Sequence, residues 1–295
     1  MREYKDYHKS IMVNEVLDYL ITVEDGIYVD CTAGEGGHSK AIYEKCNGKA
    51  RVISVDVDYE VLGIAEKRLK ELSYKIDFFK APYQEIDIVL AGLGVKKVNG
   101  FFMDLGVSTF QLKGVGRGFT FMKDEPLDMR MDLEADKTAH YVVNEYSEQE
   151  LSKIIFEYGE EFRFSRKIAK RIVQARPLNT TFELVEAIKS AFPYSEIRKR
   201  KRHFATKTFQ AIRIEVNGEF NNIKTALNKF GNYLEVGGRV VVLSFHSLED
   251  KIIKTFFKND ERFNLLTKKP LIPSEEEIKN NPRARSTKLR AAEKK

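Results

Sequence analysis

Residues 26–58, GIYVDCTAGEGGHSKAIYEKCNGKARVISVDVD, constrain the fold of this chain more than any other stretch. A short β-branched run (Ile27, Tyr28, Val29) ends in an acid and breaks into Gly34, Gly36 and Gly37; helix-compatible residues follow, and a second run, Val52 to Val55, ends in Asp56 and Asp58. The order is strand, glycine turn, helix, strand, acid. A βαβ unit with glycines on its first turn and a carboxylate about 20 residues later is how an α/β sheet holds an adenosine-containing ligand.

The ligand can be narrowed. The dinucleotide pattern G-x-G-x-x-G fits at Gly34 and Gly36 but fails at its third position, Ser39, which argues against a nicotinamide dehydrogenase. A loop AGEGGH admits a close backbone approach without cradling a pyrophosphate. That suits S-adenosylmethionine, whose charged end is an amino acid and a sulfonium, with Asp56 placed to accept the ribose hydroxyls.

The rest of the chain supplies further parallel-type strands and then interrupts them. Residues 77–81 (DFFKA) read as the third strand, ended by Pro82, and 100–106 (GFFMDLG) and 239–245 (RVVVLSF) are apolar enough for strands covered on both faces. Between the last two, the pattern is helical. Residues 147–159 open on a capping box (Ser147, Glu150); residues 160–176 set Phe164, Ile168 and Ile172 against Arg163, Arg166, Lys167, Lys170 and Arg171; a third helix is capped by Thr180 with Glu183. We read 115–205 as an inserted all-helical domain that splits an α/β domain into 1–114 and 206–295. Residues 10–20 form a packing helix with Ser10 as N-cap. From Thr206 one long helical register runs to Phe230, and Ser247 caps a helix after the 239–245 strand. Weaker strands near 264–272 and 287–291 can close the sheet.

Two clusters stand where strands of such a sheet end. In DLGVSTFQL, Asp104 either caps the following turn or accepts a hydrogen bond from an amine to be methylated. In SFHSLED, His246 is either structural or a substrate contact. A balance of 50 basic to 44 acidic residues is a small excess, so its distribution matters. The run Arg198, Lys199, Arg200, Lys201, Arg202 and the tail with Arg283, Arg285, Lys288 and Arg290 are either solvated surface or sites for nucleic-acid phosphates; together with the basic helix face they favour RNA or DNA phosphates. Asp128 and Asp132 flank Arg130, which points to a local ion-pair ladder, and no metal is assigned. Cys31 and Cys46 have no CxxC spacing and read as reduced thiols. The polar N-terminus and the absence of a long apolar run predict a cytoplasmic chain without a membrane span.

With these residues in hand, the chain resembles the MraW/RsmH family of ribosomal RNA small-subunit methyltransferases. The resemblance runs from His8 to Arg290 through GEGGHS, DLGVSTFQL, RGFTF, PLDMRMD, YGEE, TFQAIRIEVN, SFHSLED and NPRARS, in the family's order. It implies a class I S-adenosylmethionine-dependent methyltransferase, a Rossmann-like α/β sheet with the inserted helical domain. The implied activity is methylation of the exocyclic N4 of a cytidine in the decoding region of 16S ribosomal RNA, within a small ribosomal subunit, with no DNA or membrane partner. The family's cofactor contacts fall on Gly36, Gly37, His38, Asp56, Tyr83, Asp104 and Gln111, and Asp104 is the candidate catalytic residue. Thr109, Phe110 and Phe204 depart from the family pattern. Two rival functions stay open on the residues alone: a small-molecule methyltransferase, which leaves the insertion and basic runs unexplained, and a non-catalytic RNA-binding assembly factor.

Overall fold

The computed structural model describes residues 9–112 and 116–295; the start of the resemblance at His8 and the expected domain boundary at 114/115 lie outside them. The chain divides into two compact units. One comprises the residues up to Ser108 together with Phe220–Lys295, and the other Thr109–Glu219.

The first unit runs α1 (Val13–Leu20), β1 (Ile27–Asp30), α2 (Gly37–Lys45), β2 (Arg51–Asp56), α3 (Tyr59–Glu71), β3 (Ile76–Lys80), α4 (Ile86–Gly92) and β4 (Val98–Asp104). The second holds α5 (Thr109–Leu112), α6 (Ala139–Glu145), α7 (Glu148–Glu157), α8 (Ser165–Gln174), α9 (Thr181–Lys189), α10 (Tyr194–Lys199) and α11 (Thr206–Asn217). The boundary falls at the start of α12 (Glu219–Tyr233), and the first unit resumes through β5 (Leu234–Ser244), α13 (Ser247–Asn259), β6 (Phe263–Leu265), α14 (Glu275–Asn280) and β7 (Lys288–Lys294).

All seven strands form one sheet in the order β3-β2-β1-β4-β5-β7-β6. The five from β3 to β5 are parallel, and β7 pairs antiparallel with both β5 and β6. The apolar runs have two faces to fill. Val29, Ile53, Phe101, Met103, Val240 and Val242 pack against α4, α12 and α13, and Phe101 stacks on Phe230 at 4.1 Å. Tyr28, Val52, Phe102, Val241 and Leu243 face α1 and α2 in a second cluster. Neighbouring residues of one strand thus serve opposite cores, which is why these strands show no polar alternation.

Several expectations are corrected. The register from Thr206 to Phe230 is two helices, because Gly218 takes the left-handed conformation (φ 59°) and its N–H closes α11 on the Ile214 carbonyl. The second unit therefore reaches Glu219 instead of ending near 205, and α11 packs on α6 and α7 inside it. The basic helix starts at Ser165, since Glu160 at φ 53° turns the chain before it. Ser10 does not cap α1: its N-cap is Met12 in the left-handed region, with no side-chain cap. The capping boxes of α7 and α9 form as expected. Among the described residues no helix is long and apolar enough to cross a membrane.

Candidate active site

Three acids end three neighbouring strands on one edge of the sheet: Asp30 on β1, Asp56 on β2 and Asp104 on β4. The glycine loop is built over the first two. Gly36 adopts φ +80°, and a Cβ there would lie 2.8 Å from Leu69 Cδ1, so only glycine lets the loop turn into α2 this close to α3. The Gly34 N–H donates to Asp56 Oδ2 at 2.8 Å, and the Asp58 N–H donates to Asp56 Oδ1 at 3.0 Å. Asp56 therefore fixes the loop. Tyr83 opens a short 3-10 turn after Pro82 and packs, half-buried, against the core of the same unit.

Ser39, where a dinucleotide loop has its third glycine, is fully buried and donates to Asp30 Oδ2 at 2.6 Å; Ser54 donates to Ser39 at 2.8 Å, and the Thr32 N–H to Asp30 Oδ1 at 3.2 Å. The sequence reading did not single out Asp30. Its signal was there: a strand-ending acid with a hydroxyl where a glycine was expected.

Asp104 is held by its backbone, whose N–H donates to Thr32 Oγ1 at 2.6 Å. Its side chain is a quarter exposed, yet Oδ1 is enclosed with no hydrogen-bond partner. Oδ2 lies 3.9 Å from His38 Nδ1. The other ring nitrogen, Nε2, lies 3.0 Å from the Ile11 carbonyl oxygen. A carbonyl only accepts, so Nε2 carries a proton, and Nδ1 is the ring nitrogen turned toward Asp104. Burial, then the negative charges of Asp30 and Glu249, push Asp104 up to about 8. Burial likewise lifts Asp30 to about 6 against its hydrogen bonds from Ser39 and Thr32, and Asp56 to about 6 against those from Asp58 and Gly34. An orphaned carboxyl oxygen among buried acids, beside a glycine cradle, fits a ligand that brings a positive charge and N–H or O–H donors.

The cap of α13 is a correction: His246, which lies at the same edge after β5, and not Ser247, is the N-cap, its Nδ1 accepting the Glu249 N–H in a capping box. Its Nε2 lies 3.0 Å from Glu249 Oε1 yet is enclosed without a hydrogen-bond partner. Gln111 belongs to the second unit, where it is buried in α5. Among the described residues no group of three or more His, Cys, Asp or Glu could hold a metal ion. Asp128 and Arg130 form a two-bond ion pair.

The basic runs are not uniform. In the second unit Arg198, Lys199, Lys201 and Arg202 are exposed. Arg200 is not available in the same way: it donates to both carboxylate oxygens of buried Glu161, at 2.7 and 3.2 Å, and lies over the Phe192 ring at 4.2 Å. Arg163, Lys167 and Arg200 converge on the Phe164 ring at 5.1, 5.8 and 5.6 Å, which brings α8 and the 198–202 run onto one surface. Exposed rings stand among these cations, Phe162 beside Arg163 and Tyr194 beneath Arg198. In the first unit Arg283 and Arg285 are exposed, whereas Arg290 is buried against Asp250 at 2.5 Å. Phe204, a departure from the expected pattern, is buried and touches the His203 and Phe192 rings.

A Rossmann-like sheet with an antiparallel β7 beside β5, a glycine loop into α2 and acids ending β1, β2 and β4 defines a class I methyltransferase fold. The comparisons agree. The chain belongs to the MraW methylase family, whose model matches residues 5–295. It is 64% identical over 282 residues to a protein of Petrotoga mobilis named ribosomal RNA small subunit methyltransferase H, covering 96% of this chain and 99% of that one. A protein of the same name from Thermotoga neapolitana is 58% identical over 294 residues, with 99% and 98% covered. Among solved structures it is similar to an rRNA methylase from Streptococcus thermophilus, at 13% identity and a TM-score of 0.45, over 98% of this chain and 99% of that one.

Proposed function

We propose that the protein methylates the exocyclic N4 of a cytidine in the decoding region of 16S ribosomal RNA, in the small ribosomal subunit and in the cytoplasm, with S-adenosylmethionine as donor. The observation that carries the reading is the enclosed, unpartnered Asp104 Oδ1 at the end of β4, beside the Gly34–Gly36 loop. Gly36, Gly37 and His38 meet the amino-acid end of the donor, Asp56 its ribose, the Tyr83 ring its adenine, and Gln111 and Asp104 complete the set. When bound, S-adenosylmethionine supplies an electrophilic methyl group and a positive charge.

The chain's residues do the rest. An exocyclic amine is nucleophilic without covalent help, so the protein needs no nucleophile of its own. Cys31 is unsuited to be one: burial, then Asp30, hold its thiol well above the ordinary range, and burial raises Cys46 as well. Asp104 accepts a hydrogen bond from the amine, which frees the lone pair from the ring, and a positive charge beside it favours its carboxylate, ready to take the proton. A base turned out of its stack and held in line gains ~7–11 kcal/mol from positioning. Arg198, Lys199, Lys201, Arg202, Arg283 and Arg285 meet phosphates, and Phe162 and Tyr194 offer stacking faces. Arg200 acts indirectly, by shaping that surface.

Methyl transfer from labelled donor to small subunits, to their RNA and to free nucleosides tests the reading. Label is expected on one cytidine N4 of the RNA and is lost with Asp104→Ala; transfer to nucleosides alone, or an unchanged Asp104→Ala rate, refutes it.

A further inference from the structure

The segment that leads into α1 is gripped from both sides. The peptide unit joining Ile11 and Met12 presents its carbonyl to His38 Nε2 at 3.0 Å and its N–H to Glu277 Oε1 of α14 at 2.7 Å. A peptide unit is planar and rigid, so these two partners fix one plane between them. Beside it, a Cβ on Gly37 would lie 2.0 Å from Ser10 Oγ, so the segment of residues 9–12 presses on the loop that begins α2. On the outer side the Asn281 side chain donates to the Lys9 carbonyl at 3.2 Å. Ile11 and Met12 are buried in the same apolar cluster as Ala284, from the turn that carries Arg283 and Arg285.

Met12 sits at φ 52° and ψ 37°, a left-handed conformation that a long L side chain seldom takes, with no side-chain cap of its own. Something must hold it there. The Glu277 carboxylate, 265 residues away in sequence, is the group that accepts its N–H. A carboxylate acceptor on the N–H also polarises the attached carbonyl, which strengthens the bond that keeps a proton on His38 Nε2 and turns Nδ1 toward Asp104.

We propose that Glu277 is a positioning residue for the methyl donor: it fixes the Ile11–Met12 peptide, which in turn fixes the tautomer and place of His38 and seats Ser10 against Gly37. The proposal rests on the reading that the Gly36–His38 loop holds the donor. Glu277 touches neither donor nor RNA; it acts through the peptide.

The test compares Glu277→Ala and Glu277→Gln with wild type for calorimetric S-adenosylmethionine affinity, kcat and both KM values, with Asp56→Ala as control. E277A is expected to weaken donor binding about tenfold, as loss of one charge-assisted hydrogen bond does, with kcat at saturating donor and KM for RNA within about twofold. E277Q, whose amide oxygen still accepts the Met12 N–H, recovers most of the affinity. In 15N spectra the His38 ring of E277A loses its preference for the Nε2–H tautomer. If D56A weakens binding and E277A does not, the proposal is overturned; if D56A binds as wild type, it is the assignment of the loop that fails. Asn281→Ala removes only the outer bond to Lys9 and is expected to weaken donor binding about threefold. Should E277A not fold, wild-type donor affinity in N281A overturns the proposal.

Discussion

Replacing Asp104 by asparagine keeps the shape of the side chain and removes its titration, so it isolates the cost of holding that carboxyl where it is. In the folded protein the group keeps its proton up to about 8, against an ordinary 3.8, because burial and the negative Asp30 and Glu249 oppose the anion. Between those values the unfolded chain has lost a proton that the folded protein retains. Stability therefore falls as pH rises through this window, and the loss is complete above about 8. A rise from 3.8 to about 8 sets a ceiling of about 6 kcal/mol. A quarter of the side chain meets water, which screens part of it, so ~2–4 kcal/mol is the working figure. Urea unfolding of wild type and D104N at about pH 5, 7 and 9 reads this directly. The two proteins should be close at the acid end and diverge in favour of D104N as pH rises, while D104N loses methyl transfer by at least ~100-fold. Asp30 and Asp56 titrate in both proteins and bend both curves. A gap that stays constant across the range, or one that closes with rising pH, refutes the account of the enclosed carboxyl.

Two further outcomes separate binding from structure in the basic runs. Neutralising Arg198, Lys199, Lys201 and Arg202 together should lower RNA affinity and flatten its dependence on salt, measured by titration from low to high ionic strength, with thermal stability unchanged. Arg200→Ala should do the reverse: it strands the buried Glu161 carboxylate and costs ~3–5 kcal/mol in urea unfolding, a loss that Glu161→Gln in the same chain reduces.

What the sequence disclosed and what it hid divide along a physical line. The strands β1, β2, β4 and β5 were legible because a run such as FFMD or VVVL can only be used by a strand with two buried faces. The capping boxes of α7 and α9 were legible because donor and acceptor lie three residues apart. Where the deciding partner is distant, local pattern misleads. Ser10 is a good cap by type, yet Met12 takes the position because Glu277 reaches it from α14. Ser247 lost the cap of α13 to His246 because Glu249 closes the box on His246, while Asp250 is committed to Arg290 and Lys288. Nothing in RKRKR marks Arg200 as the residue that turns in to Glu161. The Thr206 to Phe230 spacing continues across Gly218 because apolar periodicity is blind to a change of backbone hand. Asp56 and Asp104 were read from their places at strand ends; the Asp30–Ser39–Ser54 hydrogen bonds needed three dimensions.

The place of β7 in the sheet has a consequence for how such a chain is made. Lys288–Lys294 leaves the ribosome after β6 but lies between β5 and β6, so β6 has no strand to dock on until the later one arrives. Until then the nascent chain presents Val240–Leu243 as an open, wholly apolar edge, the kind of template on which other chains assemble. Productive folding is thus a race between pairing by a strand that carries Lys288, Arg290, Glu293 and Lys294 and capture by a stranger.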